Sequence, residues 1–459
     1  MGLTLAQALR LAPERLATNP ARPADGDRRR EAFSAAFVGA GGKTTALFQL
    51  ARELGPPIIV TATTHLGAWQ LPLADQHIVA MTHADLEGLE PRGVTLITGP
   101  LNTDERTDPI PEDVLWWLHD MARTRGIPLL IEADGSHQKP LKAPANHEPA
   151  IPAFVDLVVV VAGLSALGEP LNGGFVQRAD IFATLSGLQP GAPISGEGLN
   201  RLLISPVGGS KNIPTRARRV VLLNQADTAY LQAQARGMAR TLLSSFDAVV
   251  IASLGASTVH AAHERVAGIV LAAGEAKRFG RLKQLLDWRG TPFVRAVAST
   301  GLAAGLSPVV VVTGAGATRV KAALEGLVVI ATRNLDWQTG QASSVRAGLQ
   351  ALNPLPGAAV FLLSDQPQIT FDVIAALIDT HASGLHPIVA PLVMMEQRSN
   401  PVLFDRATFP DLLQLKGDVG GRAIFSKHKV EFMPWHDDRL LLDVDTEEDY
   451  RRIVEDDTL

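Results

Sequence analysis

A glycine-containing turn followed by cations is the part of the sequence best suited to phosphate chemistry. An apolar run at residues 268–271 leads into LAAGEAKRFGRLK, residues 271–283. Small residues in such a turn let backbone N–H groups approach phosphates. Arg278 can fork onto the β and γ oxygens of a triphosphate, and Lys283 can place a charge on the α-phosphate. The segment predicts a nucleotide-transfer site, and a glycine turn with surface cations is the alternative.

Carboxylates that follow apolar runs are the candidate metal ligands of this site. Asp365 follows the run at residues 358–363, and a carboxylate at the tip of a parallel strand lies on the ligand-binding side of such a sheet. Its oxygens suit Mg²⁺, although a turn aspartate before Pro367 is the alternative interpretation. Asp445 is either a second metal ligand or the cap of a helix opened by Thr446.

A second glycine-rich turn lies near the start of the chain. A strand-like run at residues 35–38 is followed by GAGGKTT, residues 39–45. The turn is close to a phosphate-binding P-loop, although that pattern asks for glycine where Phe37 stands. The predicted contacts with phosphate and, through the first threonine, with Mg²⁺ come from Gly41, Gly42, Lys43, Thr44 and Thr45. A generic strand–helix turn is the alternative.

Two later segments could complete this second site. Asp134 follows a strand-like run and could act as the acidic partner of the magnesium. Asn224 and Asp227 follow another run with the spacing of the guanine-reading Asn-Lys-x-Asp pattern, but Gln225 occupies the lysine position, and a generic turn is an equal alternative. The polar segment 139–148 is either an acceptor or partner site or a proline-rich surface loop.

Short apolar β-branched runs alternate with amphipathic stretches along the whole chain. Runs that are apolar at every position fit strands buried on both faces of a parallel sheet, and their alternation with helices predicts an α/β fold. One helix should span residues 111–125, between an initial proline and Gly126. We expect two three-layer units, Rossmann-like or P-loop-like, at residues 1–258 and 266–459, with a polar segment between them and a long loop at residues 187–214.

Composition excludes several classes of function. The 459 residues are 46% hydrophobic and 19% charged, which is typical of a folded chain with more than one domain. The net charge of −5 leaves no basic excess to neutralise a nucleic-acid backbone. The absence of cysteine excludes disulfides, thiolate metal sites and a cysteine nucleophile. No apolar run reaches the length of a membrane span, so we expect a cytoplasmic protein.

The C-terminal half resembles the molybdenum cofactor cytidylyltransferases. The matching segments are LAAGEAKRFGRLKQLL, WQTGQASSVRAGL, SDQPQIT, SNPVLFD, KGDVGGRAIF and DVDTEEDY. The resemblance implies a nucleotide-diphospho-sugar transferase-like fold, dependence on Mg²⁺, and transfer of CMP from CTP to Mo-molybdopterin with release of pyrophosphate. It also implies nucleotide contacts at Leu271, Ala272, Ala273, Gly274, Arg278 and Lys283, a metal ligand at Asp365, and acceptor contacts at Asn400, Pro401 and Asp418. The related guanylyltransferases usually carry Leu-Ala-Gly-Gly where this chain has alanine third, which favours CTP.

The N-terminal half resembles the YqeC family, described as an accessory factor of selenium-dependent molybdenum hydroxylases. The matching segments are FVGAGGKTTALFQLA, IIVTATTHLG, EADGSHQKPLKAPANHEPAIP and VLLNQADT. We therefore interpret the chain as a fused enzyme of molybdenum cofactor maturation whose first half uses a nucleoside triphosphate. We expect a transient contact with an apo molybdenum hydroxylase. Transfer to another phosphorylated acceptor, such as a sugar phosphate, and a non-catalytic cofactor chaperone are the alternatives.

Overall fold

The apolar β-branched runs form two sheets in two separate units. A computed structural model describes residues 2–11, 32–135, 138–275, 279–395 and 397–455. The chain divides into two compact units at the boundary between His263 and Glu264. Both units combine helices with a largely parallel sheet, which confirms the predicted α/β fold class. The predicted phosphate ligand Arg278 lies outside the described residues.

The first unit alternates strands with helices along the chain. Its strands are β1 (Ser34–Gly39), β2 (Ile58–Ala62), β3 (Leu66–Gly67), β4 (Gln76–Val79), β5 (Val94–Thr98), β6 (Arg106–Thr107), β7 (Leu129–Glu132), β8 (Leu141–Lys142), β9 (Leu157–Gly163), β10 (Val176–Gln177), β11 (Arg218–Asn224), β12 (Ala248–Ser253) and β13 (Thr258–Glu264). Its α-helices are α1 (Leu5–Ala8), α2 (Lys43–Leu54), α3 (Glu112–Arg125), α4 (Ala179–Ser186), α5 (Gly196–Ile204) and α6 (Ala229–Leu242).

The large sheet of the first unit has the strand order β13-β12-β11-β9-β1-β7-β2-β5-β4. From β12 to β4, neighbouring strands pair in parallel. Strand β1 lies between β9 and β7, so the glycine-rich turn after β1 opens beside the carboxyl ends of both neighbours. Ligands of open α/β sheets bind at this edge.

The second unit also alternates strands and helices. Its strands are β14 (Val266–Ala272), β15 (Asp287–Trp288), β16 (Thr291–Pro292), β17 (Val309–Thr313), β18 (Ile330–Arg333), β19 (Ala358–Leu363), β20 (Ile388–Val393), β21 (Gln397–Arg398), β22 (Val402–Asp405) and β23 (Val430–Trp435). Its α-helices are α7 (Phe293–Ala303), α8 (Ala317–Ala323), α9 (Gln341–Gln350), α10 (Phe371–Gly384), α11 (Phe409–Leu413) and α12 (Glu447–Glu455).

The sheet of the second unit is covered by helices on both faces. Its order is β18-β17-β14-β19-β22-β20-β21, and β23 pairs in parallel with β20. Strands β17, β14 and β19 are parallel, whereas β22 is antiparallel to both of its neighbours. Successive residues of β14 face opposite sides: Val270 packs with Val297 of α7, and Ile269 packs with Val345 of α9. The result is a three-layer unit with β14 at its centre.

The helix predicted at residues 111–125 forms as α3. It begins one residue after Pro111, with Glu112 and Asp113 in its first turn, and it is followed by Gly126 at φ 70°. Acidic residues near the amino end and a left-handed glycine past the carboxyl end are the features that indicated it. Within the described ranges, every helix is too short or too polar to cross a membrane.

Two segments expected to be irregular contain regular structure. Residues 187–214 include helix α5, so the prediction of one long loop there is wrong. The helix is capped by Ser195, whose hydroxyl accepts a hydrogen bond from the N–H of Gly198 at 3.1 Å. Leu199, Leu202 and Leu203 lie on its buried face, and the surrounding glycines and prolines concealed this helical spacing. The polar segment expected between the units likewise contains β13.

Candidate functional sites

The carboxyl ends of β14 and β19 bring two predicted features to one edge of the sheet. They are the start of the segment 271–283, called the transfer loop below, and the predicted metal ligand Asp365. The strands run parallel, with Leu271 paired to Leu363. The N–H of Ser364 donates to the carbonyl oxygen of Leu271 at 3.3 Å. Asp365 is the next residue, so it lies beside the turn that begins at Ala273. The two features on which the predicted transferase site depends are therefore neighbours.

A buried glutamine fixes the described part of this loop. Gln284 is 3% exposed, and its Nε2 donates to the carbonyl oxygens of Gly274 at 3.1 Å and Ala272 at 3.4 Å. Ala273 is also buried, whereas Gly274 is exposed. Gln284 therefore acts as a positioning residue for the turn. Gln284 was not predicted, because no spacing pattern in the sequence distinguishes an amide that bonds to the adjacent loop.

Lys283 of the loop pairs with a carboxylate. Its Nζ lies 2.6 Å from Oδ1 of Asp445. The cap of α12 is Thr446, whose hydroxyl accepts from the N–H of Asp449 at 3.2 Å, while Asp449 Oδ2 accepts from the N–H of Thr446 at 2.7 Å. The interpretation of Asp445 as the helix cap is therefore wrong. Its carboxylate belongs instead to the edge where Lys283 and Asp365 lie.

Asp365 is surrounded by more negative than positive charge. Burial raises the pKa of Asp365, Lys283 opposes this shift, and the carboxylates of Asp443 and Asp445 add to it. Gln366 Nε2 donates to Asp443 Oδ1 at 2.6 Å and holds that carboxylate in place. Three carboxylates around one lysine form a site that a cation would stabilise. Among the described residues no cluster of three or more His, Asp or Glu side chains has the arrangement of a metal site, so oxygens of a bound phosphate would have to complete the coordination of Mg²⁺.

The residues predicted to face the acceptor have different surroundings. Asn400 is half-buried, and Pro401, the residue before β22, is buried. Asp418 is exposed, and its Oδ1 accepts a hydrogen bond from the N–H of Gln341 at 3.2 Å. This bond satisfies one of the N–H groups that have no acceptor within α9. Asp418 therefore stabilises the start of α9, and acceptor binding by these three residues stays a prediction.

Two arginines of this unit were not identified from the sequence, and one of them, Arg422, lies near Asp443. Arg422 Nη2 donates to the carbonyl oxygen of Arg398 at 3.5 Å, and the Arg398 guanidinium lies 5.2 Å from the centre of the Phe432 ring. Burial lowers the pKa of Arg422; the Asp443 carboxylate opposes the shift and Arg398 adds to it. Two guanidinium groups whose charges repel each other favour the binding of an anion.

In the first unit, the glycine-rich turn offers phosphate fewer backbone N–H groups than a P-loop pattern suggests. Strand β1 continues to Gly39, and α2 already begins at Lys43. The N–H groups of Ala40 and Gly41 donate to the carbonyl oxygens of Val161 and Lys139. Phosphate contacts by the backbone are therefore restricted to the amino end of α2, where the first N–H groups have no acceptor within the helix.

Of the two acidic groups at the end of β7, Asp134 pairs with the lysine of this turn, and Glu132 contacts the threonine and also lies 3.9 Å from the lysine Nζ. Lys43 is buried, with its Nζ 3.2 Å from Asp134 Oδ1 and 2.8 Å from the carbonyl oxygen of Gly39. Asp134 Oδ2 also lies 2.9 Å from Lys142 Nζ. Thr44 Oγ1 donates to Glu132 Oε2 at 2.9 Å. The assignment of Asp134 as the partner of Thr44 at a magnesium site is therefore corrected: Glu132 has that position.

Comparison with known proteins assigns each unit to a family. The model of the YqeC protein family matches residues 35–180, and the model of the MobA-like NTP transferase domain matches residues 268–432. The chain is 34% identical over 209 residues to the uncharacterized protein YqeC of Escherichia coli, an alignment that covers 43% of this chain and 78% of that protein. The chain belongs to both families. Its first unit is a YqeC unit, and its second is a nucleotidyltransferase unit of the MobA-like type.

Two further similarities each cover about two fifths of the chain. The chain is 33% identical over 202 residues to the nicotine blue oxidoreductase of Paenarthrobacter nicotinovorans, covering 41% of this chain and 96% of that protein. It is also similar to the crystal structure of Rv0371c from Mycobacterium tuberculosis, with 31% identity, 42% of this chain and 98% of that chain covered, and a TM-score of 0.37.

A chain of buried and half-buried ion pairs runs from Lys43 into the segment 139–148 of the YqeC unit. Lys142, which pairs with Asp134, also lies 3.0 Å from Glu148 Oε2, and Arg178 Nη1 lies 2.8 Å from the same oxygen. Burial opposes ionisation of Glu148, but the Lys142 and Arg178 cations outweigh it and lower the pKa of Glu148 to about 2. Part of this polar segment therefore belongs to an internal network of ion pairs, so the segment is not a proline-rich surface loop along its whole length.

Asn224 of the YqeC unit stabilises the glycine-rich turn. Its Nδ2 donates to the carbonyl oxygen of Gly41 at 2.8 Å, and its Oδ1 accepts from the N–H of Leu254 at 3.0 Å. The side chain thus joins the turn to the residue after β12. Asp227 is exposed, and guanine recognition by Asn224 and Asp227 stays a prediction.

Proposed function

We propose that the MobA-like unit is a molybdenum cofactor cytidylyltransferase, which transfers CMP from CTP to Mo-molybdopterin. An oxygen of the acceptor's terminal phosphate attacks the α-phosphorus of CTP, and the bond from that phosphorus to the β-phosphate oxygen breaks, so pyrophosphate leaves. The observation that carries the proposal is the placement of Asp365 and Lys283 at one edge of the sheet. Mg²⁺, when bound by Asp365 and Asp445, would supply positive charge for the triphosphate.

The protein's own groups bind and orient the substrates. Lys283 can exchange its contact with Asp445 for the α-phosphate oxygens, on which negative charge develops during transfer. Gln284 holds the backbone of the turn against which the triphosphate would lie. The guanidinium groups of Arg422, near Asp443, and of Arg398 would bind the phosphate of the acceptor. Together these groups hold two anionic substrates close enough to react.

The choice of CTP depends on the loop at residues 271–274. The methyl group of Ala273 is buried with Ile269 and Val345, so selection against a purine would act through the position of the loop backbone. The test incubates the protein with Mo-molybdopterin, Mg²⁺ and either CTP or GTP, and measures pyrophosphate. We expect kcat/KM for CTP to exceed that for GTP by about 10²-fold. Faster turnover of GTP would reverse the base assignment, and turnover only with a sugar phosphate would replace the acceptor.

Arg422 provides a separate test of the anionic acceptor. We expect Arg422→Gln to raise the KM for Mo-molybdopterin about tenfold, because a charge-assisted contact with phosphate is lost, and to leave the KM for CTP within about twofold. The matched control is Arg319→Gln, which changes an exposed arginine on α8 of the same unit. An equal rise in both KM values would contradict an acceptor-specific role of Arg422.

We also propose that the YqeC unit binds a nucleoside triphosphate and assists a neighbouring step, such as loading or modifying the cofactor for an apo molybdenum hydroxylase. The support is the buried Lys43 at the amino end of α2 together with the Thr44–Glu132 pair. Two activities on one chain would raise the effective concentration of the shared intermediate. A client hydroxylase would then contact the chain only transiently.

A redox activity is the second candidate for the MobA-like unit. It is favoured by the similarity to nicotine blue oxidoreductase over 96% of that protein's length. A nicotinamide dinucleotide could use the same phosphate-binding turn. The two candidates are separated by measuring NAD(P)H consumption and pyrophosphate release in one preparation with the corresponding substrates.

A further inference from the structure

A buried glutamine of the YqeC unit points one amide group at the threonine of the glycine-rich turn. Gln70 lies in a short 3-10 helix, Ala68–Leu73, and is 7% exposed. Its Nε2 donates to Thr44 Oγ1 at 3.1 Å. Among the described residues, its Oε1 has no hydrogen-bond partner although it is buried. A buried amide oxygen without a hydrogen-bond partner destabilises the folded protein unless another group binds it.

We propose that Gln70, Thr44 and Glu132 are the protein ligands of a divalent cation that binds together with the nucleoside triphosphate of the YqeC unit. The inference rests on the proposed nucleotide binding of this unit and adds the metal site and its third ligand. Gln70 comes from a segment that neither the P-loop pattern nor the sequence of the turn identifies.

The distances within the group match those between neighbouring ligands of one cation. Thr44 Oγ1 lies 2.9 Å from Glu132 Oε2 and 3.1 Å from the Gln70 amide. Two adjacent oxygens in an octahedron around Mg²⁺, each about 2.0–2.1 Å from the metal, are about 2.9 Å apart. A half-turn of the Gln70 amide exchanges Nε2 for Oε1 and presents an oxygen at the same place.

The charges explain why this cation would need the nucleotide. Asp134 pairs closely with Lys43 and Lys142, at 3.2 and 2.9 Å. Glu132 lies farther from Lys43 Nζ, at 3.9 Å, and accepts a hydrogen bond from Thr44 Oγ1, so it is the carboxylate beside Thr44. One carboxylate with two neutral oxygens binds Mg²⁺ weakly, because such sites are normally completed by phosphate oxygens. The amino end of α2, beside Thr44, is where those phosphates would lie. The site therefore predicts mutual dependence of cation and nucleotide binding.

The test measures ATP and GTP binding to the full chain by calorimetry, with Mg²⁺ or with EDTA. The background carries Lys283→Ala and Asp365→Asn, so that the MobA-like site contributes little. We expect Mg²⁺ to tighten nucleotide binding about tenfold or more, and Gln70→Leu to remove most of that gain. Gln70→Glu should keep or enlarge the gain, because a carboxylate offers a cation ligand but cannot donate to Thr44.

The outcomes separate this inference from the nucleotide proposal on which it rests. Absence of binding in both conditions would overturn the nucleotide role of the YqeC unit. Binding that is equal with Mg²⁺ and EDTA, or a Gln70→Glu variant as deficient as Gln70→Leu, would overturn the metal site and leave nucleotide binding intact. If Gln70→Leu folds poorly, the comparison of Gln70→Glu with the unmodified residue decides the question.

Discussion

Replacing Asp365 with asparagine is expected to lower kcat/KM for pyrophosphate release by about 10²–10³-fold. Asparagine keeps the size of the side chain but removes the negative charge that would bind Mg²⁺ at the triphosphate. The fold should tolerate the change, because burial and two neighbouring carboxylates already disfavour the charged form of Asp365. The loss would therefore appear in the steady-state rate, while circular dichroism and the thermal midpoint stay unchanged or rise.

The matched control is Glu325→Gln, which neutralises an exposed carboxylate in the same unit. This control should retain full activity, since single exposed charges contribute little. If Asp365→Asn turns over CTP within about threefold of the unmodified protein, the transferase assignment fails. Binding of an apo hydroxylase should survive the substitution, and survival of that binding with no transfer in any variant would support a cofactor chaperone instead.

Strand positions could be predicted closely because parallel strands are buried on both faces. The apolar run at residues 268–271 became β14, which extends it by two residues before and one after, and the run at residues 358–363 became β19 without change. A short run that is apolar at every position fits few elements of an α/β unit besides a strand covered on both faces. Helix α5, by contrast, was not predicted, because glycines within it hide the spacing of Leu199, Leu202 and Leu203.

The proximity of the transfer loop to Asp365 could also be predicted from the sequence. Residues after parallel neighbouring strands must share one edge of the sheet, whatever the details of packing. The sequence could not show whether Glu132 or Asp134 is the acidic partner of Thr44, because both residues come at the end of β7. Glu132 remains within the strand, paired with Phe37 and Ala62, and reaches Thr44. Asp134 lies beyond the strand and reaches the lysines.

Residues that act through tertiary contacts left no pattern to detect. Gln70, Gln284 and Arg422 are each isolated polar residues in unremarkable local sequence. Their importance comes from the groups that face them: Thr44, the carbonyl oxygens of the transfer loop, and Asp443. Local sequence can predict where a loop binds phosphate, but the side chains that hold and complete the loop depend on the whole fold.

Glu148→Gln is expected to destabilise the YqeC unit at neutral pH and to have little effect in strong acid. The pKa of Glu148 is lowered from 4.5 to about 2, so its ionised form stabilises the folded state. This contribution is complete above about pH 4.5 and is lost as the pH falls toward 2. Allowing for partial exposure, we expect a loss of about 2 kcal/mol in the free energy of unfolding at pH 7. Hydrogen exchange of the strands β7 and β9 in the full chain measures it.

The matched control for this substitution is Glu197→Gln in the same unit. Glu197 also pairs with an arginine, at 3.6 Å from Arg201, but its side chain is 80% exposed. An exposed pair of this kind contributes less than about 0.5 kcal/mol, so exchange should barely change at any pH. A Glu148→Gln deficit that is the same at pH 7 and near pH 2 would contradict the electrostatic origin of the effect, because loss of packing alone does not depend on protonation. A deficit confined to the higher pH would instead identify the Lys142–Glu148–Arg178 network as a charge-based stabiliser of the segment beside the phosphate-binding turn.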